Sequence, residues 1–347
     1  MGFFGQWEPQ QQAQIALSQF IAAKGPLLVS ATATGFQYQA VAFTDELAEH
    51  KAEQPPVSSI RCFGSELTAC KLNQILALVA PQQALLRLYQ PHPELVPAIV
   101  LDFSVPLAED IVVALREVAA NWPLELVCLN NFVRLSQPGL LVMDMDSTAI
   151  QIECIDEIAV LAGVGVEVAA VTARAMNGEL DFAQSLRQRV ATLKDAPELI
   201  LQQVLDAVPL MPGLTALVSH LQQQQWQVAI ASGGFTFFTD ALKQRLDLTA
   251  TFANVLEIKD GTLTGQVLGE IVDAKRKAAV VAELSTQFGL ASSQTVAIGD
   301  GANDLPMLNK AALGVAFHAK PKVQAEAKAA IRQGSLLQLL YLLEPAI

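Results

Sequence analysis

The sequence predicts an α/β protein with a parallel sheet, interrupted by a helical block and preceded by a smaller α+β domain. From residue 139 onward strand and helix signals alternate, which implies a parallel sheet with helices on both faces. Successive helical segments between 153 and 207 break that alternation directly after an acidic loop, as a cap over a site would. Residues 57–129 run β-α-β-β-α-β, the split pattern of ferredoxin-like domains. The expected boundaries are 1–136 for the N-terminal domain, 137–151 with 209–347 for the core, and 152–208 for the cap.

The 347 residues suffice for two or three domains, and 52% hydrophobic content supplies their cores. The net charge, 22 − 34 = −12, disfavours non-specific binding to nucleic acid or anionic membrane. No apolar run reaches the length of a membrane span. The first residues lack a basic stretch followed by an apolar segment, so a cytoplasmic protein is expected. Cys62, Cys70, Cys128 and Cys154 form no Cys-x-x-Cys pair and read as buried thiols in a reducing compartment. The four histidines are scattered. Any metal should therefore be a hard cation with oxygen ligands.

In the first domain, residues 10–23 read as a helix, and 26–31 and 36–43 as strands around a turn ending in Thr34-Gly35. The charged stretch 47–56 ends in Pro55-Pro56 and marks a connection. Strands follow at 57–63, 84–89, 97–103 and 124–129. Helices are expected at 65–80, capped by Ser65, and at 106–121, with Pro106 in the first turn. Without clustered acids, bases or glycine-rich loops, this domain reads as a binding, regulatory or dimerising module, or as one that only stabilises the fold.

A polar linker, 134–138, leads into Leu140-Leu141-Val142, a buried strand. Asp144 and Asp146 leave its carboxyl end, two residues apart and hence on one side. Such acids repel unless a cation or a shared proton lies between them. The helical block comprises 153–162, 166–176, 181–193 and 197–207. Asp181 and Gln184 form a capping-box variant at the third, and Pro209 and Pro212-Gly213 end the block. Then come helix 214–225, strand 227–231 ending in Ser232-Gly233-Gly234, and helix 235–246. Strands 252–258 and 263–270 flank a hairpin turn at Asp260-Gly261. Helix 273–288 and strand 295–298 precede Gly299-Asp300-Gly301-Ala302-Asn303-Asp304. A helix from Leu305, a strand at 314–317 and a closing helix at 335–343 complete the chain. Ligands of such sheets bind outside the carboxyl ends of the strands, where loops 144–148, 232–234 and 299–304 all lie.

Asp144, Asp146, Asp300 and Asp304 in one crevice call for a divalent cation, and Mg²⁺ suits carboxylate, water and a substrate phosphate. Ser232 and Gly233 offer a hydroxyl and unhindered N–H groups that can cradle phosphate. Taken alone, Ser-Gly-Gly is better read as an ordinary strand-to-helix turn. One of Lys275, Arg276 and Lys277 would offset phosphate charge, and spacing does not choose among them. Phe182, Leu186, Arg189 and Leu193 share one helix face. An arginine there needs a partner, either a cap carboxylate or a substrate carboxylate that its fork matches. Glu153 either pairs with Arg189 or receives a substrate ammonium.

The first acidic loop, Ser232, Lys277 and the 299–304 loop, in that order with a helical insertion after the first, resemble the four signatures of haloacid dehalogenase-type phosphatases. Residues 153–159, 182–190, 232–235 and 299–304 are similar to the phosphoserine phosphatase branch, and the resemblance covers roughly 138–345. It implies a Rossmann-like core with a four-helix cap. The domain before residue 136 resembles the ACT-like N-terminal domains of some bacterial members. The implied reaction is Mg²⁺-dependent hydrolysis of O-phospho-L-serine to L-serine and phosphate through an aspartyl-phosphate, the last step of serine biosynthesis. By position, the resemblance makes Asp144 the nucleophile and Asp146 the general acid/base. Asp144, the backbone carbonyl of Asp146 and Asp300 would hold Mg²⁺, with Asp304 in support. Glu153 and Arg189 would bind the amino-acid end, and Ser232, Gly233 and Lys277 the phosphate. Asn303 would contact phosphate or phosphoserine, and Met176 and Phe182 would close over the substrate. The implied partner is this small molecule, with no nucleic acid and no membrane; a homodimer is compatible with the chain. The competing readings are another small-molecule phosphatase or phosphotransferase on the same scaffold, and a non-catalytic amino-acid sensor.

Overall fold

The computed structural model describes residues 4–7 (backbone only), 17–32, 35–41, 56–65 and 67–344. Residues 10–16 of the first expected helix, Thr34, residues 42 and 43, and all but the last residue of the 47–56 connection lie outside them. The chain forms two compact units, Met1–Ser136 with 331–334 and 338–347, and Gln137–Ala330 with 335–337.

The first unit contains β1 (Phe4–Trp7), α1 (Leu17–Lys24), β2 (Leu27–Ala31), β3 (Phe36–Ala40), β4 (Ser58–Phe63), α2 (Ala69–Val79), β5 (Ala84–Tyr89), β6 (Ala98–Phe103), α3 (Glu109–Ala119) and β7 (Glu125–Leu129). Its sheet runs β1-β3-β2-β5-β6-β4-β7. The last four strands have the ferredoxin-like order that β-α-β-β-α-β predicts. Joining β1 to β3 in the same sheet was not expected. Alternation puts Ile60, Cys62, Leu86, Ile99 and Leu101 on the core face. The opposite parity carries Arg61, Arg87 and Asp102, all buried. Arg87 pairs with Asp102 at 2.7 Å, and Arg61 with Glu344. This is why the end of the chain belongs to the first unit, although 209–347 was assigned whole to the core. A buried arginine without its carboxylate is costly.

Both helix starts in this unit differ from expectation. Thr68, not Ser65, caps α2, its hydroxyl accepting from the Lys71 N–H at 3.4 Å. Gly64 is left-handed and Leu67 is drawn into the core, so the chain turns before it coils. Helix α3 starts at Glu109, beyond Pro106, because the Asn130 amide holds both Leu107 N–H and Leu107 C=O.

The second unit begins with β8 (Leu140–Met143) and the cap helices α4 (Cys154–Leu161), α5 (Gly165–Met176), α6 (Phe182–Thr192) and α7 (Leu199–Ala207). It continues with α8 (Leu214–Gln223), β9 (Gln227–Phe235), α9 (Thr236–Leu246), β10 (Ala250–Lys259), β11 (Thr262–Leu268) and α10 (Ala274–Gln287). Last come β12 (Thr295–Gly299), α11 (Leu305–Lys310), β13 (Leu313–Phe317), α12 (Pro321–Glu326) and β14 (Ala329–Ile331). The sheet order is β11-β10-β9-β8-β12-β13-β14, and β10 through β13 pair in parallel, as a Rossmann-like core requires. All four residues of the central strand β8 are buried. The capping box of α6 forms as expected. The β10–β11 hairpin turns through left-handed Asp260 and Gly261.

Strand β9 runs on through Ser232-Gly233-Gly234 instead of ending before them. The closing helix is a 3-10 helix, Leu336–Leu342, not an α-helix. Its three-residue repeat aligns Leu336, Leu339 and Leu342, all buried. Helix α12 and strand β14 were not expected.

One close approach tests this packing. A Cβ on Gly314 of β13 would lie 2.1 Å from the Leu308 carbonyl oxygen of α11. Gly314→Ala is expected to destabilise the protein by roughly 3 kcal/mol, since backbone must shift to admit it. A urea midpoint equal to wild type would show that α11 yields freely.

Candidate active site

The acidic loop is shaped by backbone pairing. The Asp144 N–H donates to Ile298 C=O at 3.0 Å, which extends the β8–β12 ladder to the residue that carries the carboxylate. The chain then wraps around one carbonyl: the N–H groups of Thr148, Ala149 and Ile150 all donate to Met145 C=O, at 3.2, 2.8 and 3.0 Å. Met145 is buried and anchors the turn. Ser147 is left-handed, and its hydroxyl donates to Glu153 Oε1 at 2.7 Å. Asp146 Oδ1 accepts from the Cys154 N–H at 3.3 Å, which ties the loop to the first cap helix.

The other loops reach the same place. Thr148 Oγ1 donates to Asp300 Oδ1 at 3.2 Å. Helix α10 turns Lys277 inward with Val280, Val281 and Leu284. Lys277 Nζ lies 2.8 Å from both Asp144 Oδ1 and Asp304 Oδ1. Arg276 instead pairs with Glu283 at 2.6 Å. Asp304 Oδ2 accepts from the Gly301 N–H at 3.0 Å. In β9, Ser232 Oγ accepts from the Gly234 N–H at 2.9 Å, which leaves the Ser232 proton to donate elsewhere.

These groups line a cleft of about 120 Å³. Asp144, Asp146, Lys277, Asp300 and Asn303 form one side, and Ser232 to Phe235 a second. Glu153, Ile155, Phe182, Leu186 and Arg189 approach from the cap. Ten of the predicted site residues line it. Asp304 lies fully buried behind Lys277. Met176 is not brought in: α5 buries only Val168, and its last turn leaves Met176 72% exposed.

The electrostatics follow from burial. Burial pushes Asp144 well above the usual carboxylate range, reinforced by Asp304 and opposed by Lys277. Asp146 is raised to about 7, first by burial and then by Glu153. Asp300 is raised to about 6 by burial, Asp304 and Glu153. Burial opposes the Lys277 charge, yet Asp144 and Asp304 outweigh it and hold the ammonium charged. Carboxylate oxygens of Asp144, Asp300 and Asp304 lie within 4.8 Å of one another. Such a cluster of hard, mutually repelling donors fits a divalent cation with oxygen ligands. The Asp146 carboxylate is not in that cluster. Burial lowers Arg189, and among the described residues no carboxylate lies within ion-pairing distance of it. Its buried Nε is unpartnered. Glu153 is turned toward Ser147 instead.

Ile155, Phe235 and Gly234 were not anticipated. Gly234 had a signal, the second glycine of Ser-Gly-Gly. A Cβ there would lie 2.9 Å from Asp146 Oδ2 and 2.7 Å from Met145 Cε. A Cβ on Gly233 would strike the Phe182 ring at 2.7 Å.

The haloacid dehalogenase-like hydrolase model matches residues 139–312. A phosphoserine phosphatase of Vibrio cholerae is 60% identical over 213 residues, 61% of this chain and 65% of that protein, just under two thirds of its length. A phosphoserine phosphatase of Idiomarina loihiensis is 47% identical over 215 residues, 60% of this chain and 98% of that one. The unliganded crystal structure of a probable phosphoserine phosphatase from Vibrio cholerae superposes with a TM-score of 0.69 at 46% identity. It covers 83% of this chain and 86% of that one, so the likeness reaches into the first unit.

Proposed function

The chain belongs to the haloacid dehalogenase-like hydrolases, and on that premise we propose that it hydrolyses O-phospho-L-serine to L-serine and phosphate. The observation that carries the choice of substrate is Arg189, its buried Nε without a partner among the described residues, beside Glu153 on the cap side of the cleft. One offers a fork for an α-carboxylate and the other a carboxylate for an ammonium. The relatives of that name support the same reading.

Asp144, Asp300 and the Asp146 backbone carbonyl would hold Mg²⁺, with Asp304 in support. The ion would neutralise phosphate charge and let an anionic nucleophile approach. Asp144 attacks phosphorus as the bond to the serine oxygen breaks, leaving an aspartyl-phosphate on Asp144. Asp146, which retains a proton near neutral pH, gives it to the departing oxygen. The same carboxylate then takes a proton from water as that water attacks the phosphoenzyme. Such a group contributes typically ~10²–10⁴-fold. Lys277, the Ser232 hydroxyl and the Gly233 N–H hold the phosphate oxygens. Phe182 packs against Gly233 and helps close the cleft to water.

Phosphate release from a panel of phosphorylated metabolites tests this. Phosphoserine is expected to rank first, and chelation of divalent metal to stop release until Mg²⁺ is restored. Preference for an ester without an amino-acid end, or transfer to an acceptor hydroxyl, would sink the substrate reading. For the first unit, the matching proposal is an ACT-like regulatory or dimerising role in a cytoplasmic enzyme. Calorimetry of the full chain with L-serine tests the regulatory role, and a stoichiometry no greater than one serine per chain would remove it.

A further inference from the structure

Strands β9 and β10 fall out of register where the cleft begins. Phe252 pairs with Ala231 and Asn254 with Phe235, so a single residue of β10 faces three of β9. Ser232, Gly233 and Gly234 therefore form a bulge in β9 between those two pairs. One side chain bonds two of the carbonyls in that bulge. Asn254 Nδ2 donates to Gly233 C=O at 2.8 Å and to Gly234 C=O at 3.2 Å. Its Oδ1 accepts from the Val272 N–H at 2.9 Å. Asn254 is fully buried.

The same amide spans two parts of the cleft. On one side is the bulge with the Ser232 hydroxyl and the Gly233 N–H. On the other is the lead-in to α10. Val272 directly precedes Asp273, whose carboxylate caps the helix by accepting from the Arg276 N–H at 2.9 Å. The first turn of that helix carries Lys277. We propose that Asn254 is a positioning residue for phosphoryl transfer, holding the Ser232–Gly233 cradle and the Lys277 helix at the spacing at which both grip one phosphate. This rests on the reading of the cleft as a phosphate-ester site. No other residue type of similar size fits all three bonds. Aspartate would set an acceptor against two carbonyls, and alanine would take this donor from both.

The test uses the full chain with inorganic phosphate as probe, measured by calorimetry in Mg²⁺, and steady-state kinetics on phosphoserine and on p-nitrophenyl phosphate. In Asn254→Ala the dissociation constant for phosphate is expected to rise about tenfold, as loss of buried hydrogen bonds would give. The kcat/KM should fall by a similar factor on both substrates, because both depend on the same grip. A residue that only stabilises the fold would lower the urea midpoint and leave phosphate affinity within about twofold of wild type; that result overturns the proposal. Should Asn254→Ala fail to fold, Asn254→Asp decides by the same criteria, since it keeps the acceptor toward Val272. Wild-type protein without phosphate affinity would overturn the phosphate-ester reading and this proposal together. Equal affinity in wild type and variant overturns this proposal alone.

Discussion

Asp144→Asn is expected to lower phosphate release from every accepted ester by at least roughly 10⁴-fold, the scale on which loss of a nucleophile is felt. The change is nearly isosteric. Asparagine can still accept from the Met145 N–H, which Asp144 Oδ1 holds at 2.8 Å, and from Lys277. It also removes one of the buried negative charges that raise each other's proton affinity. The urea midpoint should therefore not fall, and lost activity will be lost chemistry. An amide oxygen is too weakly nucleophilic to displace a serine alkoxide, so no phosphoenzyme should be trapped by acid quench of labelled phosphoserine. Turnover above contamination in a clean preparation would remove Asp144 from the nucleophile role.

Arg189→Ala is expected to raise KM for phosphoserine about 100-fold, as removal of one partner of a desolvated charge pair does. KM for p-nitrophenyl phosphate, which lacks a carboxylate, should change by less than about threefold. The asymmetry is the informative quantity, because Arg189 also packs in the cap near Phe182 and Leu186. A side chain that only holds α6 in place would weaken both substrates alike, and equal losses would assign Arg189 to cap structure.

Much of this site was legible because its signals are local. Asp144 and Asp146 both reach the cleft, but the chain leaves the strand at Met143 and turns around the Met145 carbonyl, so Asp146 is placed by that turn and not by the two-residue repeat of extended chain. The α6 capping box and the left-handed turn at Asp260-Gly261 formed where short-range chemistry put them. Helix starts in the first unit were less legible. Ser65 and Pro106 are sound cap and first-turn residues, but burial of Leu67 and the distant Asn130 amide displaced them.

The sequence by itself determined the chemistry that this protein carries: acids at a strand end, a glycine-rich turn, a basic helix start, and an arginine on an apolar stripe. Only the tertiary structure decided which of these meet. Each helical residue rotates the side chain by about 100°, so the packing of α10 on the sheet chose Lys277 and left Arg276 to Glu283. Placement of the cap left Arg189 without an ion-paired carboxylate among the described residues, and Met176 in solvent. Asn254 had no local signal at all. Its importance comes from two carbonyls of another strand and an N–H eighteen residues away, and such pairings exist only once burial has removed water as the alternative partner.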